Sequence, residues 1–261
     1  MHKPIAVFDA GIGSYAIVAE IQRRLPKQDI IYFADRASFP YGNKDREQLL
    51  AIMRKTITFL ESNSASAIVV ASNAPSIMVL DEIRQYSTVP MFGVFPPLQE
   101  ALAASATGHI GIMGVRSLVE SEALRLFVRR HSAKSENVAL INASPMVELV
   151  ETGSFLFSPA DTQITVTAFA DEVFRLNPLI DVLTLSSTHL PWLRPFFETA
   201  RPNCRFLDPA EKIVAELGEG TIGTGQVRGL VTQDDGYDLE TFRRMLAQIG
   251  VDIPLELVGQ L

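Results

Sequence analysis

The sequence predicts an α/β protein with mainly parallel sheets flanked by helices, arranged as two similar halves. Two observations predict this class. Short apolar runs alternate with longer stretches of helical periodicity, and strands that alternate with helices form parallel sheets covered on both faces. The order of elements in the first half then returns in the second. In such sheets ligands bind beyond the carboxyl ends of the strands, which directs attention to the loops after them.

Each element is justified by its own apolar pattern. In the first half, apolar runs predict strands over 5–8, 30–33, 68–71 and 91–94, and helical patterns predict helices over 15–25, 45–61 and 76–86. In the second half we expect strands over 110–113, 138–141, 182–185 and 205–207, with helices over 117–131 and 161–176. The run over 205–207 is the last clear strand of the chain.

A small hydroxyl residue follows a buried strand at similar places in the two halves. Ser72 follows the strand over 68–71, and Ser187 follows the strand over 182–185 one residue later. Two such halves facing one another would enclose a cleft with one serine on each wall. Taken alone this inference is weak, because small polar residues often end strands.

Composition excludes several classes of protein. The 261 residues carry a net charge of −7 without a dense Lys/Arg cluster, so we expect no nucleic-acid partner. The single cysteine, Cys204, excludes an internal disulfide framework and a cysteine zinc site. No apolar stretch approaches the ~18 residues that cross a bilayer, and no signal peptide is visible. We therefore expect a cytoplasmic protein without a membrane partner.

Two polar residues at strand ends could carry chemistry. Asp9 follows a strand and precedes Gly11 and Gly13; it is either a carboxylate held beside a ligand or a turn residue, and spacing alone favours the turn. The glycine pair lacks the third glycine and the later acidic residue of a dinucleotide-binding motif, so we expect no NAD site. His189 stands near Ser187, either as a general acid or base or as a histidine that caps a helix or is satisfied in the core.

Glu148 and Glu151 are three residues apart and would share one face of a helix. We expect one of them to be a surface charge and the other to enter a cleft, and Glu148 is the better candidate for the surface. His2, His109 and His131 show no metal-ligand spacing with acidic residues, so no metal site is expected.

Six segments, in order along the chain, resemble one family. They are IAVFDAGIGS at 5–14, FAD at 33–35 with FPYG at 39–42, ASNA at 71–74, SPMV at 144–147 with ETG at 151–153, SSTHLP at 186–191, and DP at 208–209. Each segment alone is weak, but together they are specific. From Ile5 to about Glu211 the chain resembles the aspartate/glutamate racemases, and glutamate racemase most closely.

The resemblance implies a fold, a reaction and a set of residues. The fold is two pseudo-symmetric domains, which we assign to 1–97 plus 211–261 and to 98–210, with the active site in the cleft between them. The reaction is α-proton transfer on a small acidic amino acid without pyridoxal phosphate, metal or nucleotide, in a homodimer. In the family one cysteine thiolate removes the proton and a second cysteine thiol returns one to the opposite face.

Those two cysteine positions are Ser72 and Ser187 in this sequence. The resemblance implies Asp9, Glu151 and His189 as supporting acid–base residues. The substrate contacts that it implies are Ala10, Pro40, Tyr41, Gly42, Asn43, Asn73, Ala74, Ser117 and Thr188.

Four positions depart from the family pattern. A thiol with a pKa near ~8.5 can be brought to thiolate, whereas a serine hydroxyl is a poor base and needs an adjacent general base. His189 near Ser187 and Asp9 near Ser72 could relay protons in this way. Ala10 and Ala74 replace a serine and a threonine, and each lost hydrogen bond to a charged group would cost on the order of 1.5–3 kcal/mol.

Three hypotheses stay open on the sequence. The first is a racemase or epimerase of aspartate or glutamate with Ser72 and Ser187 at the two base positions. The second is a lyase or isomerase of a related small dicarboxylate. The third is a binding or regulatory protein that holds its ligand without turning it over. The two serines are either natural residues of a diverged protein or substitutions for cysteine.

Overall fold

A computed structural model of the chain describes residues 3–218, 223–233 and 238–261. Its strands, in chain order, are β1 (Ile5–Asp9), β2 (Ile30–Asp35), β3 (Ala67–Val70), β4 (Met91–Gly93), β5 (Ile110–Gly114), β6 (Val138–Asn142), β7 (Val182–Leu185), β8 (Arg205–Leu207), β9 (Val227–Thr232) and β10 (Leu255–Leu257). They form a six-stranded sheet in the order β10-β9-β2-β1-β3-β4 and a four-stranded sheet in the order β6-β5-β7-β8. Neighbouring strands in both sheets pair in parallel. The predicted α/β class is confirmed.

Helices connect the strands and cover the sheets. They are α1 (Tyr15–Arg24), α2 (Arg46–Ser62), α3 (Asn73–Met78), α4 (Leu80–Ile83), α5 (Leu98–Ala104), α6 (Arg116–Val119), α7 (Glu122–His131), α8 (Ser144–Glu151), α9 (Ser154–Phe157), α10 (Pro159–Leu176), α11 (Arg194–Ala200), α12 (Ala210–Leu217) and α13 (Leu239–Gln248). Within the described ranges, no helix combines the length and the apolarity needed to cross a membrane.

The internal repeat appears in the strand order. The first sheet contains β2-β1-β3-β4 and the second contains β6-β5-β7-β8, so β3 and β7 occupy equivalent places. Phe8 of β1 pairs with Val70 of β3, and Met113 of β5 pairs with Leu185 of β7. Ser72 and Ser187 each lie two residues beyond these last pairs. The apparent one-residue offset between the two serines came from counting Ala71 as part of the strand.

Two predicted helices are interrupted. The helix expected over 76–86 is divided at Val79, whose backbone (φ −138°, ψ −8°) is not helical. The helix expected over 117–131 is divided at Ser121, which is extended and accepts a hydrogen bond from the Leu124 N–H as the N-cap of α7. Both breaks come from local backbone geometry that side-chain periodicity does not report.

The expectation that 205–207 is the last strand is wrong, since β9 and β10 extend the first sheet beside β2. Arg228 and Gly229 interrupt the apolar run of β9 in the sequence, although four of its six residues are buried. Two of the three residues of β10 are exposed, so the apolar pattern of the sequence marks neither segment as a strand. The first sheet therefore holds β1–β4, β9 and β10, and the second holds β5–β8. The boundaries 1–97 plus 211–261 and 98–210 stay a prediction.

The two halves share one core. Alternate residues of β1 face opposite sides of the first sheet: Ala6 and Phe8 pack into one buried cluster, while Ile5 and Val7 pack into another. This second cluster also contains residues of β5 and β7, such as Met113 and Leu185. The two sheets are thus joined through apolar contacts, and their carboxyl ends are held close to one another.

Candidate active site

The carboxyl ends of strands from both sheets converge on one small cavity. Its volume is about 30 Å³, which is room for about two water molecules. Of the residues expected at the site, those that line it are Asp9, Ala10, Pro40, Tyr41, Gly42, Ser72, Asn73, Ala74, Ser187, Thr188 and His189. The two serines, one from each half, therefore lie on one cavity, as the repeat predicted.

Asp9 is the last residue of β1 and is 3% exposed. Its Oδ1 accepts a hydrogen bond from the Ala10 N–H at 2.8 Å, and its Oδ2 accepts one from the Thr188 hydroxyl at 2.9 Å. Burial raises the pKa of Asp9 to about 6, although His189, the Ala10 N–H and the hydroxyls of Thr188 and Ser72 act in the opposite direction. Asp9 therefore changes its protonation state near neutral pH, beside Ser72.

A chain of polar contacts runs from Ser187 into the core. The Ser187 Oγ lies 3.4 Å from His189 Nδ1, and His189 Nε2 lies 2.6 Å from Glu151 Oε1. With Nε2 donating to the carboxylate, Nδ1 is left as an acceptor toward the serine. This arrangement of a hydroxyl, an imidazole and an orienting carboxylate is the one that activates serine hydroxyls.

Glu151 ends α8 beneath the cavity and is 4% exposed. Burial by itself raises the pKa of Glu151, but the hydrogen bond and charge of His189, the charge of Arg36 and the Ile12 N–H together hold it below its ordinary value. Glu148 is exposed. Glu151 is thus buried and Glu148 exposed, as expected, but Glu151 does not line the cavity itself, and both residues line a depression that adjoins it.

Gly11 and Gly13 allow His189 and Glu151 to approach β1. A Cβ on Gly11 would lie 2.0 Å from Glu151 Oε1, and one on Gly13 would lie 2.7 Å from His189 Cγ. Both positions thus exclude any side chain because the polar pair occupies that space. The glycine pair after β1 serves this close contact.

The remaining expected contacts differ in what their polar atoms do. The Tyr41 hydroxyl donates to Asp35 Oδ2 at 3.0 Å, so it is already engaged outside the cavity. Both polar atoms of the Asn73 amide are buried and lack a hydrogen-bonding partner among the described residues. Buried amides normally have partners, so Asn73 is the side chain best placed to receive a ligand.

Two expected contacts do not line the cavity. Asn43 lies instead in an adjoining depression that shares Phe39, Pro40 and Gly42 with the cavity wall. Ser117 lies in α6 with its hydroxyl buried and without a partner among the described residues, and it is not part of the cavity wall.

Sequence reasoning missed four lining residues, which are Phe39, Val115, Val147 and Ser186. Phe39 and Ser186 lie inside segments that carry the family resemblance. Their positions directly before Pro40 and Ser187 could have identified them as lining residues. Val115 follows β5, so the rule that ligands bind beyond strand ends could have found it.

Cys204 does not replace the thiols of the family. It is the single cysteine of the sequence, it is buried at 8% exposure, and it is not part of the cavity wall. Burial raises the pKa of its thiol to about 12, so it stays protonated. In the part of the chain that the structure describes, no three His, Cys, Asp or Glu residues are grouped closely enough to hold a metal ion.

The fold and the cavity define a class of protein: two repeated α/β halves that enclose buried acid–base groups between the carboxyl ends of their strands. Comparison with known proteins gives the family. The sequence model of the Asp/Glu/Hydantoin racemases matches residues 14–217, and the chain belongs to this family.

Individual relatives agree with this assignment. A glutamate racemase of Persephonella marina is 28% identical over 97% of this chain and 95% of its own length. One of Pseudomonas putida is 31% identical over 89% of this chain and 83% of its own. The crystal structure of glutamate racemase from Thermus thermophilus in complex with β-chloro-D-alanine superposes with a TM-score of 0.79, at 27% identity, over 98% of this chain and 97% of that one.

Proposed function

We propose that the protein is a cofactor-independent racemase of aspartate or glutamate that works by two-base α-proton transfer, with Ser72 and Ser187 at the two base positions. One observation carries the proposal: both serines line one cavity, and each has its own buried proton acceptor. Membership of the racemase family and the similarity to glutamate racemases support the substrate class.

On the Ser187 side, the proton passes through His189. As the Ser187 Oγ takes the substrate α-proton, its own hydroxyl proton moves to His189 Nδ1, 3.4 Å away. Glu151, bonded to Nε2 at 2.6 Å, stabilises the imidazolium that forms. The transfer leaves a carbanion on the substrate and a positive charge on the imidazole.

On the Ser72 side, Asp9 supplies the proton. The Ser72 hydroxyl protonates the opposite face of the carbanion and is reprotonated by Asp9, whose pKa of about 6 allows it to donate and to accept near neutral pH. In the reverse direction the roles exchange, and His189 is the donor. Two neutral hydroxyls with different relays thus serve the two faces of the α-carbon.

Neutral groups would hold the acidic substrate. Among the described residues that line the cavity, none is Arg or Lys. The carboxylates of the substrate would therefore be bound by side-chain amide and backbone N–H donors. The unsatisfied amide of Asn73 is the foremost of these. Ala10 and Ala74 provide no side-chain hydroxyl to the cavity, so fewer hydrogen bonds are available to the substrate. This favours aspartate, the smaller of the two acids.

Loss of the α-proton signal tests this function. Proton NMR of L- and D-aspartate and L- and D-glutamate in D2O, without pyridoxal phosphate, should show exchange of both enantiomers of one acid. S72A and S187A should each abolish exchange of a different enantiomer, while S62A, on the exposed end of α2, should leave the rate unchanged. S72C/S187C should raise the rate by about 100-fold or more, because a thiolate is the stronger base at neutral pH.

A binding protein is the second candidate, and the two serines are the observation that favours it. If no acid exchanges but isothermal titration calorimetry detects binding of one of them, the pocket is retained without turnover. Binding should then depend on Asn73, so that N73A abolishes the heat signal while S62A preserves it. Absence of both exchange and binding would contradict both candidates and leave the lyase or isomerase hypothesis.

A further inference from the structure

Arg36 is a buried cation that lies behind the acid–base groups. It follows β2 directly and is 1% exposed. Its Nη1 donates to Glu151 Oε2 at 3.0 Å, and the two side chains are 1% and 2% exposed. Arginine is almost never fully buried unless it is paired, so this ion pair is a built feature of the fold.

An aromatic ring fixes the plane of the guanidinium. The Arg36 Cζ lies 4.6 Å from the centroid of the Phe242 ring on α13. Phe242 is fully buried and stacks on Tyr32 of β2, with 6.4 Å between ring centroids. A guanidinium held over an aromatic face in this way has one orientation, which a flexible ammonium would not keep.

The two oxygens of Glu151 face different partners. Oε2 faces Arg36 at 3.0 Å, while Oε1 accepts from the Ile12 N–H at 2.7 Å and from His189 Nε2 at 2.6 Å. Because a carboxylate is planar, fixing Oε2 also fixes the direction of Oε1. The imidazole bonded to Oε1 then presents its other nitrogen to Ser187.

We propose that Arg36 is a positioning residue: by fixing the Glu151 carboxylate, it sets the imidazole of His189 toward Ser187. The inference deepens the proposed function and rests on it for its catalytic consequence. Arg36 is not part of the cavity wall, so it acts through Glu151 without touching the substrate.

Removing the guanidinium has a definite electrostatic consequence. The titratable and charged groups that act on or around Glu151 are Tyr32 of β2, Arg36 directly after β2, and His189 from the turn after β7. Asp9, at the end of β1, interacts with His189 and Tyr32. Glu151 and His189 bind protons as a coupled pair. Deleting a neighbouring positive charge raises the proton affinity of that pair, so its titration midpoint moves to higher pH.

NMR titration of the histidine side chains in the full-length protein tests this without any substrate. The sequence has four histidines, and H189N identifies the His189 signal. R36M should raise the titration midpoint of His189 by about one pH unit or more. R54M, which removes an exposed arginine paired with Glu82, is the matched control and should leave the midpoint in place.

A double-mutant cycle with E151Q decides whether Arg36 acts through Glu151. In the E151Q background, R36M should shift the His189 midpoint by clearly less, because only the direct effect of the guanidinium charge on the imidazole remains. If R36M on its own does not fold, E151Q and R36M/E151Q still make this comparison, because the double variant leaves neither charge unpaired. The proposal would be overturned if R36M shifted the His189 midpoint equally with Glu151 and with Gln at position 151. It would also be overturned if R36M folded and its His189 midpoint equalled that of the unmodified protein.

Where α-proton exchange is observed, the proposal makes a kinetic claim as well. R36M should lower kcat by about 10–100-fold with little change in KM, as outer-shell substitutions do at other sites, and R36K should recover only part of that loss. If the unmodified protein shows no α-proton exchange but R36M shifts the His189 midpoint as expected, only the proposed function is contradicted. An active protein whose kcat is unaffected by R36M would contradict the role of Arg36 alone.

Discussion

At Asp9 the fold keeps a carboxyl group almost completely shielded from solvent. The four interactions that favour its ionised form do not cancel the effect of burial, and the pKa rises from 3.8 to about 6. A raised folded-state pKa means that the folded protein binds the proton more tightly than the unfolded chain does. The contribution of Asp9 to stability is therefore fully present below about pH 3.8 and is lost as the pH rises through about 6.

D9N tests this linkage. At pH 7.5 the substitution should stabilise the protein, by at most about 3 kcal/mol for a shift of this size, and by less because the amide has one acceptor oxygen where the carboxylate has two. At pH 4 the two proteins should differ little. Urea unfolding at the two pH values measures the difference, with D81N, at a fully exposed aspartate, as the control. A D9N protein less stable than the unmodified one at pH 7.5 would show that the hydrogen bonds to Ala10 and Thr188 outweigh the burial of charge.

Gly11 offers a second test at the scale of one residue. A methyl group there would meet Glu151 Oε1 at 2.0 Å and His189 Nε2 at 2.6 Å. G11A should push the carboxylate away from His189, lowering the free energy of unfolding by about 1–3 kcal/mol and the α-proton exchange rate by about 100-fold. G259A is the control, because a Cβ at Gly259 meets nothing within 4 Å. An unchanged exchange rate in G11A would mean that the His189–Glu151 contact is not needed.

At the scale of elements, the sequence predicts what local pattern determines. Apolar runs locate β1–β8, because each forms a short apolar run in the sequence, fully buried in β1, β2, β5 and β7 and partly buried in the others. The strand-end rule brings Asp9, Ser72, Ser187 and His189 to one edge. Arg36 also follows a strand, but an arginine in a loop is typical of a surface, and only the tertiary contact with Glu151, 115 residues away, makes it part of the site. No periodicity in the sequence reports a contact of that kind.

The role of helix α13 could not be predicted from the sequence either, because it depends on contacts with residues distant in sequence. Phe242 packs between Tyr32 and Arg36, so the helix supports the acid–base groups from behind. F242A should lower the free energy of unfolding by about 3–5 kcal/mol, the range for a buried phenylalanine. F157A removes the same side chain at a position that is 44% exposed and should cost far less. Equal losses in guanidinium unfolding would show that α13 is only weakly held on the sheet.

At the scale of the whole molecule, the two halves are joined by a shared core and enclose a small cavity between them. The cavity holds about 30 Å³, well below the ~300–1,000 Å³ of typical small-molecule pockets. The adjoining depression of about 310 Å³ shares Phe39, Pro40, Gly42, Val115 and Val147 with the cavity. We therefore expect access to the serines from that depression to need a movement of the Gly42 loop away from Val115, which it contacts closely.

A reversible covalent lock tests whether this movement is needed. A Cβ on Gly42 would lie 3.0 Å from the Val115 Cβ, about half an ångström short of the usual range for a disulfide, so a small adjustment would let G42C/V115C close. Cys204 should not interfere, since its thiol is buried with a pKa of about 12. The oxidised variant should lose substrate binding and α-proton exchange, and dithiothreitol should restore both to the level of the reduced single variants G42C and V115C. Full exchange by a variant shown by mass spectrometry to be oxidised would mean that substrate reaches the serines by another route, with the two halves closed as they are here.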